Sequence, residues 1–382
     1  MDQRIVDGAP TETGADGAPE QGADSSEDTS PEMGGDAGGP MPFTAHTEAS
    51  FTPNACCGAE VNTALDASGR VHVFAHQQRG STRSQWYLVQ NGDDWNSTNI
   101  TEDGSLPRPF SERSAFTLDA GDAPHGLFSI GDGTLHYAFL DGTWQAIPIG
   151  DSNVGNMFTH FDIAVDAGGD VHVVWFDRRT LALRYGRRNG DAFDVETVDP
   201  PADGDQNGEY ARIAVASDGT LHLSYLAIVG DAPILRHASG GAGSWSVEDV
   251  PGENKGVFGT ILLNGEDRPM IASAGLVSSR AQGLYVSRFD GSWSETSLVA
   301  DDSIRFGDLD AALGPDGQVW VVGAVSIGGN GYPELFYPLG SERSTYQIRG
   351  DVVGRTPESV ALTVDDEGVP LVAVANRLVS LQ

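Results

Sequence analysis

The stretch Ile163–Asp177 reads IAVDAGGDVHVVWFD and decides the fold class. Apolar residues alternate with others up to Asp166, a Gly-rich turn follows, and a β-branched run ends at Trp175. Alternation with a period of two predicts a β-strand, and glycines between two such runs predict a tight turn. We therefore expect two consecutive antiparallel strands here.

The same pattern recurs along the chain. Clear copies are TALDASGRVHVFAH (63–76), RIAVASDGTLHLSY (212–225), AALGPDGQVWVVGA (311–324) and LTVDDEGVPLVAVA (362–375), and weaker ones lie at 116–128 and 261–274. Alignment on the second strand places seven residues in one column, 47 to 53 residues apart: His72, His125, His172, His222, Pro269, Trp320 and Pro370. Seven copies at a near-constant period are typical of a closed repeat architecture.

Each copy continues into two further strands. The third carries a leucine beside an aromatic residue, as in Leu183–Tyr185, and the fourth begins with an aromatic residue such as Trp144 or Trp245. Four short antiparallel strands in about 45 residues make one propeller blade. The sequence therefore predicts an all-β protein, a seven-bladed β-propeller of four-stranded antiparallel blades over residues 41–382, with no helix.

The last copy lacks a fourth strand, because only seven residues follow Leu362–Ala375. Near the start of the chain, Pro42–Glu48 carries Phe43 where other blades carry a tryptophan. We predict that this N-terminal strand completes the last blade and closes the ring, which leaves no open blade edge.

The charge balance limits the possible partners. The chain has 55 acidic and 22 basic residues, a net charge of −33, and Lys255 is its single lysine. Nucleic acids and anionic membranes need basic residues to neutralise their phosphates, so we exclude both. Cations, neutral sugars and basic proteins suit the charge, although a saline habitat or a GC-rich genome would produce the same balance. No run of 18 apolar residues predicts a transmembrane segment.

Residues 1–40 are predicted to be a disordered acidic tether. They contain ten acidic residues, one arginine and no aromatic residue, so they bury too little apolar surface to offset the entropy of ordering. The segment resembles the acidic Gly/Asp-rich tethers that follow the lipidated cysteine of bacterial surface lipoproteins. That resemblance implies an extracellular or cell-surface protein whose signal peptide and any lipidated cysteine lie outside this chain. We expect a monomer.

Candidate site residues follow from the propeller geometry. The first strand of each blade lines the central channel, so residues aligned at its start face one mouth of that channel. This mouth column consists of Glu60, Arg113, His160, Tyr210, Phe258, Asp308 and Ser359. Repeated positions normally keep one residue type, whereas this column holds seven types, most of which bind or transform ligands. Solvated loop positions, which vary by default, are the alternative interpretation.

Loops at the same mouth contribute further candidates for ligand binding: His76, Arg79, Asp177, Arg178 and Arg305. Guanidinium groups hold carboxylates and sulfates at two points, so several arginines suit an acidic sugar. Pairing with the surplus of acidic side chains explains the same arginines equally well.

The adjacent Cys56 and Cys57 leave three interpretations open. They form a vicinal disulfide in an oxidising compartment, bind a soft metal, or stay reduced and packed. No Cys-x-x-Cys motif or histidine at ligand spacing supports the metal site, so we predict a disulfide and no metal.

Two other patterns are interpreted as structural. His72, His125, His172 and His222 lie in mid-strand among apolar residues, and we expect them to bond to neighbouring strands rather than to a metal. Residues 203–208 match the first half of a calcium-binding EF-hand loop but lack its final acidic residue and its helices. We expect a turn, with no cofactor except a possible structural calcium ion.

The repeats are similar to those of secreted bacterial sialidase-like β-propellers over residues 41–382. Sialidases carry Ser-x-Asp-x-Gly-x-x-Trp turns, whereas the turns here read NGDDW, DGTW, GGAGSW and DGSW. The resemblance therefore implies the architecture and not the activity. The adjacent cysteines also resemble a feature of some sialidase-like propellers.

These observations predict a binding site for a carbohydrate at the mouth of the channel that the mouth column surrounds, which we call the top mouth. One alternative is a glycoside hydrolase or polysaccharide lyase on the same face, with His160 or Tyr210 as base or with Glu60 and Asp308 as the carboxylate pair. Another is a protein-interaction scaffold that uses the blade rims.

Overall fold

The structure is a computed structural model that describes residues 46–50, 60–79, 81–102, 104–110, 113–155, 160–252, 255–277, 280–299, 304–327, 330–339, 342–347, 359–374 and 377–381. These residues form β-strands and no helix, as the sequence predicts.

The strands follow one another in chain order. The first nine are β1 (His46–Ser50), β2 (Val61–Leu65), β3 (Val71–Arg79), β4 (Thr82–Asn91), β5 (Asp94–Asn99), β6 (Ser114–Leu118), β7 (Pro124–Ser129), β8 (Leu135–Asp141) and β9 (Thr143–Pro148). The next eight are β10 (Phe161–Val165), β11 (Val171–Asp177), β12 (Ala182–Asn189), β13 (Ala192–Asp199), β14 (Gln206–Val215), β15 (Leu221–Val229), β16 (Ala232–Gly241) and β17 (Ser244–Asp249). The remainder are β18 (Lys255–Leu263), β19 (Pro269–Val277), β20 (Arg280–Phe289), β21 (Trp293–Val299), β22 (Arg305–Leu313), β23 (Val319–Ile327), β24 (Asn330–Leu339), β25 (Glu342–Gln347), β26 (Val360–Val364), β27 (Pro370–Val374) and β28 (Arg377–Leu381).

Consecutive strands pair into four-stranded antiparallel sheets, which are the blades. Within the described residues, β2–β5, β6–β9, β10–β13 and β14–β17 each form one sheet, and a fifth has the order β1-β28-β27-β26. An eight-stranded sheet contains β18–β21 and β22–β25, joined by the pairing of Gln282 with Arg305. First strands of successive blades contact one another, for example β2 with β6 and β6 with β10. The structure is therefore an all-β propeller of four-stranded antiparallel blades.

The turn between the first two strands of a blade is fixed by one aspartate. Asp166 Oδ1 accepts hydrogen bonds from the backbone N–H groups of Gly168 and Asp170, both at 2.8 Å. Gly169 closes the turn with φ of 84°, a conformation that a residue without Cβ adopts at little cost. The Gly-rich turn in the sequence thus has a direct physical cause.

The column histidines are structural, as predicted. His172 Nδ1 lies 2.7 Å from the Tyr185 hydroxyl on the neighbouring strand, and its Nε2 lies 3.4 Å from Asp166. Trp245, from the next blade, packs edge-on against the Tyr185 ring at a centroid distance of 5.2 Å. Equivalent hydrogen bonds join His72 to Tyr87, His125 to Tyr137 and His222 to His237. The repeated leucine–tyrosine and tryptophan positions are therefore the parts that join neighbouring blades.

The apolar core lies between blades. One cluster combines Val174, Leu183 and Tyr185 of one blade with Ile213 and Leu223 of the next. Each blade buries both faces in this way, so the first strands are held at fixed positions around the channel.

The N-terminal strand lies close to its predicted position. β1 pairs antiparallel with β28, from His46 opposite Leu381 to Ser50 opposite Arg377. The predicted stretch Pro42–Glu48 overlaps β1 at residues 46–48, and residues 42–45, with Phe43 among them, lie outside the described residues. Nothing in the described part of the chain is a helix of the length and apolarity that crossing a bilayer requires.

Candidate functional site

The mouth column comes together in the structure, although its members are about 50 residues apart in the chain. Arg113 Nη1 lies 3.1 Å from Glu60 Oε2 and 3.5 Å from Asp308 Oδ1. All three side chains are buried. We call these residues the charged triad. It joins the first and second blades to the blade that contains β22.

Three aromatic side chains of the column form a second group, the aromatic trio. The rings of His160 and Tyr210 have centroids 4.4 Å apart, and Phe258 lies edge-on to Tyr210 at 5.1 Å and to His160 at 5.9 Å. His160 is 3% exposed, and its Nε2 has no hydrogen-bond partner among the described residues. A buried imidazole nitrogen without a partner is costly, so it is available to a ligand that supplies one.

The backbone is strained at two members of the aromatic trio. Tyr210 has φ of 55° and Phe258 has φ of 52°, in the left-handed region that bulky residues rarely adopt. The strand pairing shifts register at both places, between Glu209 and Arg212 and between Val257 and Thr260. Bulges and strain of this kind re-aim side chains and concentrate at functional sites. Both aromatic rings are thus held in place at an energetic cost.

The remaining column member joins the last blade to the first. The Val61 N–H donates to Ser359 Oγ at 3.2 Å, and the Val360 N–H donates to Asp308 Oδ2 at 3.1 Å. Column side chains therefore also satisfy backbone groups at the free inner edges of neighbouring blades.

Burial shifts the protonation of this site. Burial raises the pKa of Glu60 to about 7; Arg113 opposes this shift, and the nearby Asp308 adds to it. Burial disfavours the charge of Arg113, yet Glu60 and Asp308 outweigh that effect and raise its pKa. The charged triad has two carboxyl groups for one guanidinium group, so one carboxyl group takes up a proton near neutral pH.

The aromatic trio is electrically neutral near pH 7. Burial, together with Arg113 and Arg212, lowers the pKa of His160 well below its usual value. Burial raises the pKa of Tyr210 to about 12. His160 is therefore an unprotonated imidazole and Tyr210 an intact phenol over the neutral range.

Sequence reasoning missed a second ring of residues, two positions further along the first strands. This second tier consists of Asn62, Asp162, Arg212, Thr260 and Asp310. With Glu60 and Asp308 of the mouth column, it lines a channel cavity of about 210 Å³. Charged residues on strands whose other side chains are apolar were the signal that could have revealed it.

The second-tier carboxyl groups also join blades. Asp162 Oδ2 accepts the Ile213 N–H at 3.0 Å, and Asp310 Oδ2 accepts the Leu362 N–H at 2.8 Å. Burial raises the pKa of Asp310 to about 7 and shifts the pKa of Asp162 in the same direction. The channel therefore holds several carboxyl groups that are easily protonated.

The loop candidates are placed less uniformly. His76 is buried beside its cross-strand neighbour Gln85, and burial lowers its pKa to about 4. The Asp177 carboxylate is fully buried, and hydrogen bonds from the backbone N–H groups of Asn153, Arg179 and Thr180 hold the β11–β12 turn around it. Its role as a ligand residue stays a prediction.

The other predicted residues are exposed or lie outside the described part of the chain. Arg178 and Arg305 are exposed to solvent. The side chain of Arg79 and both predicted disulfide residues, Cys56 and Cys57, lie outside the described residues. In the calcium-like stretch 203–208, Asp203 and Gly204 form a turn and Gln206 begins β14. Asp205 Oδ1 accepts a hydrogen bond from the Gly230 N–H at 3.0 Å. No group of three or more His, Cys, Asp or Glu side chains in the described residues is arranged to hold a metal ion.

Fold and site together define an all-β propeller with an asymmetric polar cluster in its channel. No family model matches the sequence, and no curated protein matches it significantly.

Solved structures are similar in fold. Hydrazine synthase of Kuenenia stuttgartiensis has a TM-score of 0.55 at 8% identity, over 84% of this chain and 95% of that one. AofleA from Arthrobotrys oligospora has a TM-score of 0.50 at 12% identity, over 80% and 89%. The SapL1 lectin, in complex with alpha methyl fucoside, has 0.46 at 13% identity, over 69% and 88%. At 8% and 12% identity, the first two similarities support the fold alone. None of the three structures is described as a sialidase, so the specific resemblance to sialidase-like propellers stays a prediction.

Proposed function

We propose that this chain is a secreted or surface-tethered, seven-bladed β-propeller that binds a carbohydrate at the mouth column. The blade count is supported by the contact of β26 with β2, which makes the order of first strands circular. The strand β1 adds a fourth strand to the blade that contains β26. The acidic composition of residues 1–40 supports the tether, and protease shaving of intact cells followed by immunoblotting tests the location.

The observation that carries the function is the charged triad beside the aromatic trio. Aromatic faces pack against the C–H surfaces of a sugar ring, while charged groups exchange hydrogen bonds with its hydroxyl groups. Strain at Tyr210 and Phe258 supports this proposal, because strained backbone is retained more often at ligand-binding positions than where it serves stability. Arg113 is already bonded to two carboxyl groups, which favours a neutral sugar at the charged triad. The loop arginines that suit an acidic sugar, Arg178 and Arg305 among them, are exposed and not part of the triad.

A glycan array with the recombinant chain, followed by product analysis of every hit, tests this proposal. We expect binding without turnover, and loss of binding in Tyr210→Ala. A matched control is Tyr285→Ala on β20, away from the channel. An array without a signal contradicts the function, and so does turnover that is abolished in His160→Ala or Tyr210→Phe.

One observation favours a glycoside hydrolase as the second candidate. Glu60 and Asp308 contact the same guanidinium nitrogen, and the pKa of Glu60 is about 7. A carboxyl group that is protonated near neutral pH can protonate a leaving oxygen, while a second carboxylate acts as base or nucleophile. Release of new reducing ends from array hits, abolished by Glu60→Gln, would establish this activity.

The scaffold interpretation gains little support. The exposed large hydrophobic residues among the described positions are Leu140, Leu181 and Val247, which lie on different blades. Scattered single residues of this kind do not form an interaction patch.

A further inference from the structure

We infer that the second tier binds one uncharged, hydroxyl-rich ring, the terminal residue of a neutral glycan, in the channel cavity behind the mouth column. This inference rests on the proposed function and specifies its ligand. The cavity of about 210 Å³ is lined by first-strand residues and Glu60. It is smaller than the roughly 300–1,000 Å³ of pockets for drug-sized molecules, so it admits a single small unit and not a chain.

One group of the second tier lacks a partner. Thr260 is 8% exposed, lines the cavity, and its hydroxyl makes no hydrogen bond among the described residues. Arg212 also lines the cavity, half-buried, where its charge interacts with the carboxyl groups of Asp162 and Asp310. An unpartnered buried polar group costs about 1–3 kcal/mol, which a ligand hydroxyl group would recover.

The charges of the cavity select an uncharged ligand. Asp162, Asp310 and Arg212 line the cavity together with Glu60 and Asp308 of the charged triad. A carboxylate ligand would meet four acidic side chains. An ammonium ligand would meet the Arg212 guanidinium group, while burial raises the pKa of Glu60, Asp162 and Asp310 and so favours their uncharged forms. Hydroxyl groups avoid both conflicts, because they donate to carboxylates and accept from guanidinium and threonine.

The mouth column and the cavity share two residues. Glu60 and Asp308 belong to both the mouth column and the cavity lining. A sugar ring in the cavity therefore contacts Glu60 and Asp308, the two carboxyl groups of the charged triad. Because the cavity admits a single unit, we expect it to recognise the end of a glycan.

The test titrates methyl glucoside, methyl galactoside and methyl mannoside into the full chain, by calorimetry and saturation-transfer NMR. Glucuronate and glucosamine serve as charged comparators. The main variant is Thr260→Val, which keeps the shape and removes the hydroxyl group. The control is Thr363→Val on β26, whose hydroxyl also lacks a partner but does not line the cavity.

We expect a neutral methyl glycoside to bind, with an affinity about fivefold to tenfold weaker in Thr260→Val and unchanged in Thr363→Val. Tighter binding of glucuronate or glucosamine would overturn the ligand class. Binding of longer glycans alone, with the same affinity in Thr260→Val, would overturn the cavity site and leave the proposed function standing. No binding of any glycan would overturn both.

Discussion

The hydroxyl group of Tyr185 lies 2.7 Å from Nδ1 of His172, and this buried hydrogen bond connects two strands of one blade. The same Tyr185 ring receives Trp245 from the next blade. A single side chain thus contributes to both the blade and its seam with the neighbouring blade.

Tyr185→Phe should destabilise the propeller. The ring packing is retained, but His172 loses its partner in a buried place, which costs about 1–3 kcal/mol. Urea unfolding measures the change. Tyr285→Phe is the control, because no hydrogen bond of the Tyr285 hydroxyl exists among the described residues. Equal stabilities of the two variants would show that the hydrogen bond between His172 and Tyr185 does not stabilise the blade.

Strain at Phe258 leads to a second prediction. In Phe258→Asn, relief of the left-handed backbone, worth about 1–3 kcal/mol, offsets much of the lost ring packing. We expect the free energy of unfolding to change by less than about 1 kcal/mol, because asparagine tolerates this conformation. Carbohydrate binding should nevertheless be lost.

The control for Phe258 is Phe289→Asn. Phe289 packs edge-on against Trp293 at 5.3 Å outside the channel, and its backbone is unstrained. The Phe289→Asn variant should lose roughly 1–2 kcal/mol in its free energy of unfolding and should still bind the ligand. A larger loss at Phe258 than at Phe289 would contradict the assignment of strain to function.

Fold and site differ in how far the sequence predicts them. The turn at Asp166 and the pairing of His172 with Tyr185 are local interactions that recur in other copies, as at Asp66 and between His72 and Tyr87, so periodicity reveals them. The contact of Arg113 with Asp308 joins residues 195 positions apart. Alignment of the copies predicted that both face one mouth, but the sharing of one guanidinium by two carboxyl groups depends on side-chain packing between blades.

The second tier shows the limit more clearly. Asp162 and Asp310 lie on strands in which polar and apolar residues alternate. Their carboxyl groups accept hydrogen bonds from backbone N–H groups of the next blade. The alternation in a strand indicates only that a polar side chain faces away from the apolar core. In a propeller such a side chain can face either the outer solvent or the central channel. Only the assembled ring distinguishes these two cases.

Glu60 should make stability fall as the pH rises. Its pKa in the folded protein is about 7, above the usual 4.5, so the folded state keeps a proton that the unfolded chain loses. The contribution of Glu60 to the free energy of unfolding is complete below about pH 4.5 and is lost as the pH rises from there through about 7. A shift of this size corresponds to about 3 kcal/mol, with Arg113, Arg212 and Asp308 as the facing charged groups.

Glu60→Gln isolates this effect. Glutamine resembles the protonated acid, so the variant should match the parent near pH 4.5 and exceed its stability at pH 8. Chemical unfolding across this range measures both values, and the exposed Glu367→Gln is the control. A variant that is less stable than the parent at pH 8 would show that the ion pair with Arg113 outweighs the cost of burial.

Truncation tests the closure of the ring. Removal of residues 1–40 should leave the melting temperature unchanged, because their composition predicts no folded contacts. Removal of residues 1–50 also deletes β1, and the backbone edge of β28 then loses its partner. We expect the melting temperature to fall by more than about 5 °C, and a peptide that spans residues 41–52 should restore part of it. Equal melting temperatures for the two truncations would contradict closure by the N-terminal strand, and the blade of β26 would then have to be stable with three strands.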